Sequence, residues 1–239
     1  MSRTKKLTWC IVLILSLVIG YVLLIAYPFM LFNHNYDYKQ FQVYSDQPVP
    51  PAIEGVLDLV TINIQKSELY KPEYEFNIFI CHNTKLFGFL TRNTNAGGVV
   101  QGPIAPHVFL RKSDIENNEI IPPGGWLLDR TDRPLSYFIS HELTHSLQAK
   151  YDRFMILKTP YYIMEGYGDY IGKANSFDYE TYRELLIRED VKMSRDSLLY
   201  NRFHIYIAYL MEKKGMTFLE ILESEPDLEE TLEVIRSEG

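Results

Sequence analysis

Apolar and polar positions fall into distinct regimes along the chain. From Leu7 to Phe32 there is no charged residue, and Ile11 to Leu15 and Leu23 to Ala26 are wholly aliphatic. At about 1.5 Å of rise per residue, roughly 20 apolar residues cross a hydrocarbon core, so residues 7–32 are expected to form a transmembrane helix. A cleavable signal has a shorter apolar region, about 7–15 residues, that ends in small residues. Here the run ends in Ala26-Tyr27-Pro28-Phe29, with bulky groups where a peptidase needs small ones. Cys10 stands near the start of the run rather than after it, which does not suit a lipid-modified cysteine. Residues 33–51 are polar and aromatic and close on Pro48, Pro50 and Pro51. They are expected to be a linker, ended by that stiff proline break, that sets the rest of the chain away from the membrane.

Beyond the linker the periodicity becomes that of a folded domain, expected over residues 52–239. Ile53, Val56, Leu57, Val60, Ile64 and Leu69 share one face of an amphipathic helix. Phe76 to Ile80 alternates as a strand, and Val108-Phe109-Leu110 follows a loop rich in Gly and Pro. Pro134 suits a first helical turn, and Leu135, Phe138, Ile139, Leu143 and Leu147 then recur at helical spacing to about Tyr151. A second helix is expected to open at Pro160. Residues 180–188, 197–214 and 218–222 are also helical in pattern, with Gly215 placed to cap the longest. Helix, strands and then helices predict an α+β domain with a small mixed or antiparallel sheet.

Charge adds an orientation. Arg3, Lys5 and Lys6 precede the span, which places residues 1–6 in the cytoplasm and the remaining chain outside, on the cell-surface or periplasmic side. Leaving those three aside, 21 of the 24 basic residues face 31 acidic ones. So acidic a domain is not built to bind nucleic acid or to be drawn to anionic lipid. Its contact with the bilayer is expected through the N-terminal helix. Cys81 is alone outside the span, so no intrachain disulfide can form there.

The chemistry lies on the helix after Pro134. His141 and His145 are four residues apart, and side chains at that spacing share a face with Cβ atoms about 5–6 Å apart. Two imidazoles can then converge on one ion, while Glu142 projects beside it and can take a proton from water. This is the logic of His-Glu-x-x-His. Downstream, Glu165 sits in an aromatic and apolar setting with Asp169 one turn later. Catalytic zinc sites commonly use two His and one Glu. Asp169 could accept the outer N–H of a liganding His and fix its tautomer.

His141-Glu142-Leu143-Thr144-His145 followed by Glu165-Gly166-Tyr167-Gly168-Asp169-Tyr170 resembles the gluzincin group of zinc metallopeptidases, and more narrowly their small peptidase-MA-like domains. Nineteen residues separate His145 from Glu165, a common gap in that group. The resemblance covers about Phe76 to Gly215. It implies a zincin-like fold with one zinc held by His141, His145 and Glu165, Glu142 as general base and Asp169 supporting a ligand. Tyr200, in the segment Tyr200 to Leu210, would stabilise the oxyanion, with His204 as its alternative; Phe203 departs from the small residue usual there. The segment from His107 to Lys112 falls where such proteins keep an edge strand that pairs with extended peptide. Gly97-Gly98 and Gly124-Gly125-Trp126 are candidates to shape the cleft.

The implied function is hydrolysis of peptide bonds in a peptide or protein substrate by a membrane-anchored zinc enzyme, endopeptidase or aminopeptidase-like. The alternative is an inactive, zinc-stabilised module outside the cytoplasm that binds peptide or protein. An intramembrane protease is excluded, because no second run of about 18 apolar residues follows Phe32.

Overall fold

The apolar N-terminal run forms one helix, α1 (Arg3–Ala26), in a computed structural model that describes residues 3–122, 133–174, 178–188 and 195–238. Among the described residues it is the one helix long and apolar enough to cross a membrane. Most of its side chains face outward, including Leu13 and Leu17. Its last turns differ: Tyr21, Leu24, Ile25 and Pro28 form one helical face, and Ile25 is only 1% exposed. A single 3-10 turn (Pro28–Leu31) leads into the domain.

The expected linker at 33–51 is replaced by a hairpin. Strands β1 (His34–Tyr38) and β2 (Phe41–Ser45) pair antiparallel, and β2 continues parallel to β3 (Phe76–Cys81). The alternating positions Phe41, Val43 and Ser45 are all buried, which explains why a stretch of polar appearance joins the sheet. Lys39 makes the turn with φ +52°.

The sheet has the order β1-β2-β3-β5-β4, where β4 is Gly98–Val100 and β5 is Val108–Arg111. Its inner pairs are parallel and its two outer pairs antiparallel, so it is mixed. The stretch around His107 is therefore not an edge. Strand β5 lies between β3 and β4, and β4 occupies the border of the sheet. Both faces are covered. Phe76, Ile78 and Ile80 of β3 point into the main core, whereas Phe79 and Cys81 join a second cluster with Phe32, Phe87, Leu90 and Phe109. Helix α2 (Ile53–Ile64) covers the first face, and α3 (Thr84–Thr91), N-capped by Asn83, covers the second. A two-stranded ribbon, β6 (Ser113–Asp114) with β7 (Glu119–Ile120), follows.

The remaining described chain is helical: α4 (Leu135–Tyr151), α5 (Met155–Lys158), α6 (Tyr161–Lys173), α7 (Tyr179–Arg188), α8 (Arg195–Ala208), α9 (Phe218–Ser224) and α10 (Leu228–Ser237). A turn of π-helix (Tyr209–Lys213) ends α8, and Gly215 follows at φ +70°. Every residue of α4 from Leu135 to Gln148 is buried. Asn63 of α2 locks three helices together, donating to the Ser140 hydroxyl on α4 and to the Gly172 carbonyl on α6, both at 3.2 Å. The architecture is thus α+β with a five-stranded mixed sheet. Gly124-Gly125-Trp126 lies outside the described residues.

Candidate metal centre

Helix α4 carries His141 and His145 on one face, and α6 crosses it bringing Glu165. The two Nε2 atoms are 3.1 Å apart. Glu165 Oε2 lies 3.3 Å from His141 Nε2, and Oε1 lies 3.5 Å from His145 Nε2. One potential ligand atom from each residue falls within 4.8 Å of the others, so the three can hold a metal ion. The close approach of the helices depends on a glycine. A Cβ on Gly168 would stand 3.0–3.3 Å from the His141 ring.

Each group is tuned by its neighbours. Burial alone would push His145 down, but Glu165 opposite and Gln148 beside it prevail, and its pKa is pushed up to about 9. Burial would likewise raise Glu165, yet the two histidines hold it well below the usual carboxylate range. The carbonyl oxygen of Gln148 accepts from His145 Nδ1 at 2.8 Å. Nδ1 therefore carries the proton in the neutral ring, and the lone pair of Nε2 faces His141 and Glu165. Gln148, three residues after His145, was not singled out from the sequence, although its spacing on the helix could have flagged it.

Glu142 is 7% exposed, and burial raises its pKa above the ordinary value. It packs directly against the border strand. A Cβ on Gly98 would lie 2.5 Å from Glu142 Cγ and 2.9 Å from Oε1, so glycine is what lets β4 pass beside this carboxylate.

Asp169 is placed differently from expectation. Its carboxylate accepts from the Tyr137 hydroxyl and faces His204 Nδ1 at 3.1 Å and Lys173 Nζ at 3.3 Å. It bonds neither metal-site histidine, and His141 Nδ1 is buried with no hydrogen-bond partner. The reason is geometric. Tyr137, one turn before His141 on α4, puts its hydroxyl on the carboxylate first. Asp169, Lys173 and His204 are almost fully buried. Against the burial that would raise it, Lys173, the His204 bond and Arg133 hold Asp169 far below the carboxylate range. Burial outweighs Asp169 at His204 and depresses it to about 4, leaving that imidazole neutral at pH 7.

His141, His145 and Glu165 open into a cleft of about 470 Å³. Asn93 to Val100, apart from Thr94, form one wall, and Arg133, Tyr137, Tyr161 and Tyr200 contribute to its lining. The Tyr200 ring centroid is 6.3 Å from that of His141, and its hydroxyl is 3.3 Å from the Tyr161 hydroxyl. Burial, followed by Glu165, raises its pKa, so the phenol keeps its proton. The Arg133 guanidinium lies 5.4 Å over the Tyr200 ring and 5.5 Å over Tyr137. His204 does not line this cleft and bonds Asp169 instead, whereas Tyr200 lines it. Gly97-Gly98 do border the cleft, as the start of its wall strand. No protein-family model matches the chain, and no curated protein matches it.

Proposed function

We propose that the chain is a membrane-anchored, zinc-dependent peptidase of the gluzincin type, with a zincin-like domain. The observation that carries this reading is the convergence of His141, His145 and Glu165 on one point of the cleft, with Glu142 beside them. Two imidazole nitrogens and one carboxylate oxygen form a recurrent donor set for catalytic zinc, and the ligand-ready tautomer of His145 fits it. When bound there, zinc supplies Lewis acidity, which acidifies water and polarises a carbonyl.

The residues of the chain do the rest. Glu142, buried and with its proton affinity raised, takes a proton from water in the cleft and passes it to the departing amine. Tyr200, kept protonated, donates to the developing oxyanion, a role worth about 2.7–4 kcal/mol for comparable donors. Strand β4, the border of the sheet among the described residues, offers its outer side to an extended peptide laid along the cleft. The neighbouring groups orient these parts: Gln148 fixes His145, and Tyr137 ties α4 to Asp169 on α6.

The N-terminal helix is read as an uncleaved anchor, with its basic end in the cytoplasm and the domain outside. Its last turn supports this. Ile25 is buried and the Ala26 carbonyl lies 3.1 Å from His107 Nε2, so the helix end is part of the folded domain. The decisive experiment measures bound zinc and hydrolysis of a peptide library by the full chain, with chelator and zinc add-back. Glu142→Gln should keep zinc and lose roughly 10²–10⁴-fold in rate. A zinc-replete chain that cuts no peptide would leave only the binding-module reading.

A further inference from the structure

Helix α3 and its C-cap carry an outward stripe on the side away from the second cluster. Lys85 and Phe89 are exposed one turn apart on the helix, with Phe89 50% exposed, and Arg92, the C-cap at φ +57°, is exposed just beyond them. Phe87 and Leu90 on the opposite face are buried in the second cluster. The stripe is therefore basic at both ends and aromatic in the middle, within a domain that is acidic overall.

Its position relative to α1 is fixed by direct contacts. The Tyr21 hydroxyl donates to the Phe89 carbonyl at 2.7 Å, and the two rings meet edge-on at 5.4 Å. The Arg92 guanidinium lies 5.9 Å from the Tyr21 ring. Tyr21 precedes the helix end at Ala26 by five residues, about 7–8 Å along the axis. Helical side chains also lean toward the N-terminus, which carries its hydroxyl further in that direction. Twenty residues from Leu7 to Ala26 would fill a hydrocarbon core of about 30 Å. Under the anchor reading, on which this argument rests, Phe89 then stands at or below the upper boundary of that core.

We infer that α3 is a membrane-seated helix: Phe89 enters the boundary between headgroups and acyl chains, and Lys85 and Arg92 reach anionic headgroups. A basic and aromatic face of this kind is what interfacial helices present to lipid, with long cationic side chains rising to the polar layer. Continuity with α1 identifies the occupant as the bilayer and not a second protein. The domain thus touches the membrane at two places, a span and a lateral foot. The foot leads within four residues to Asn93 on the cleft wall.

Photocrosslinking of the full chain tests this in vesicles of phosphatidylcholine with phosphatidylglycerol, using benzoylphenylalanine in place of Phe89. Val18 within the span and Val234 on α10 serve as reference positions. Lipid adducts should form at 18 and 89, at least tenfold above position 234. The same probe at exposed Lys85 should also give lipid adducts, which covers the case in which the variant at 89 fails to fold. Adducts at 18 with none at 89 or 85, or adducts at 89 to protein instead of lipid, would overturn the foot and leave the anchor standing. No lipid adduct at 18, 85 or 89 would remove anchor and foot together. Neither readout depends on zinc or hydrolysis.

Discussion

At the scale of the residue, the candidate site is an ion-paired cluster of His145 with Glu165. His145 is held up to about 9 against an ordinary 6.5, so its contribution to stability is full below 6.5 and fades as pH rises through about 9. Glu165 is held below its ordinary 4.5, so its contribution is present above that value and is lost as pH falls. The metal-free chain therefore gains most from the pair between these limits. At neutral pH the imidazolium of His145 must give up its proton before Nε2 can ligate. Titrating zinc into metal-free protein at pH 7 should release about one proton per site from this group. Calorimetry in buffers of different ionisation enthalpy measures it, and heats independent of buffer would refute the pairing. The histidine pair was legible in the sequence because helix periodicity alone brings i and i+4 together, whereas Glu165, on another helix, was reached through the two-His-one-Glu donor set and the gluzincin resemblance. The partner of Asp169 was not, because Tyr137 reaches it from another helix and a contact between helices leaves no local signature.

At the scale of the element, the centre depends on how closely α4, α6 and α8 cross. Gly166 marks the tightest contact between α6 and α8: a Cβ there would meet the Phe203 carbonyl oxygen at 2.5 Å and Ile207 Cγ1 at 2.8 Å. Backbone cannot yield as a flexible side chain can. Gly166→Ala should thus cost about 1–3 kcal/mol by overpacking, even though alanine is the better helix former. Denaturant unfolding measures this, and an equal or greater midpoint would contradict the close crossing. The same elements show what sequence can carry. Helix α4 was readable to within a few residues, whereas α2 ends at Ile64, short of the Leu69 that the apolar spacing placed on its face. The β1–β2 hairpin was missed because Lys39, not a glycine or asparagine, takes the positive φ of its turn, and its inward positions end on a serine. Helix α10 was also missed, although Asp227 caps it and Leu228, Thr231, Leu232 and Ile235 keep its period. Strand order could not be read at all. That β4 and not β5 borders the cleft follows from pairings between residues distant in sequence.

At the scale of the whole molecule, the end of the N-terminal helix and the domain share a core. Phe29 packs against Tyr44, Phe79 and His107, and Phe32 against Phe79. A chain beginning at Asn33 loses both aromatic groups and should unfold more readily than one beginning at Tyr27. Losing one large buried aromatic commonly costs about 3–5 kcal/mol, and equal melting temperatures would show that the junction is dispensable. The missing linker has a further consequence for reach. A flexible tether of residues 33–51 would let the cleft roam over roughly 25 Å, sampling many heights above the bilayer. With β1 following the helix almost at once, that freedom is gone, and under the proposed anchor reading the cleft is held at a single altitude like a blade on a fixed post. Under the proposed peptidase and anchor readings, the bond cut would be chosen by distance from the lipid as well as by residue type. On a ladder of lipid-tethered peptides whose scissile bond is moved outward step by step, the rate should peak at one spacer length and fall on either side. A flat profile would show that the post bends.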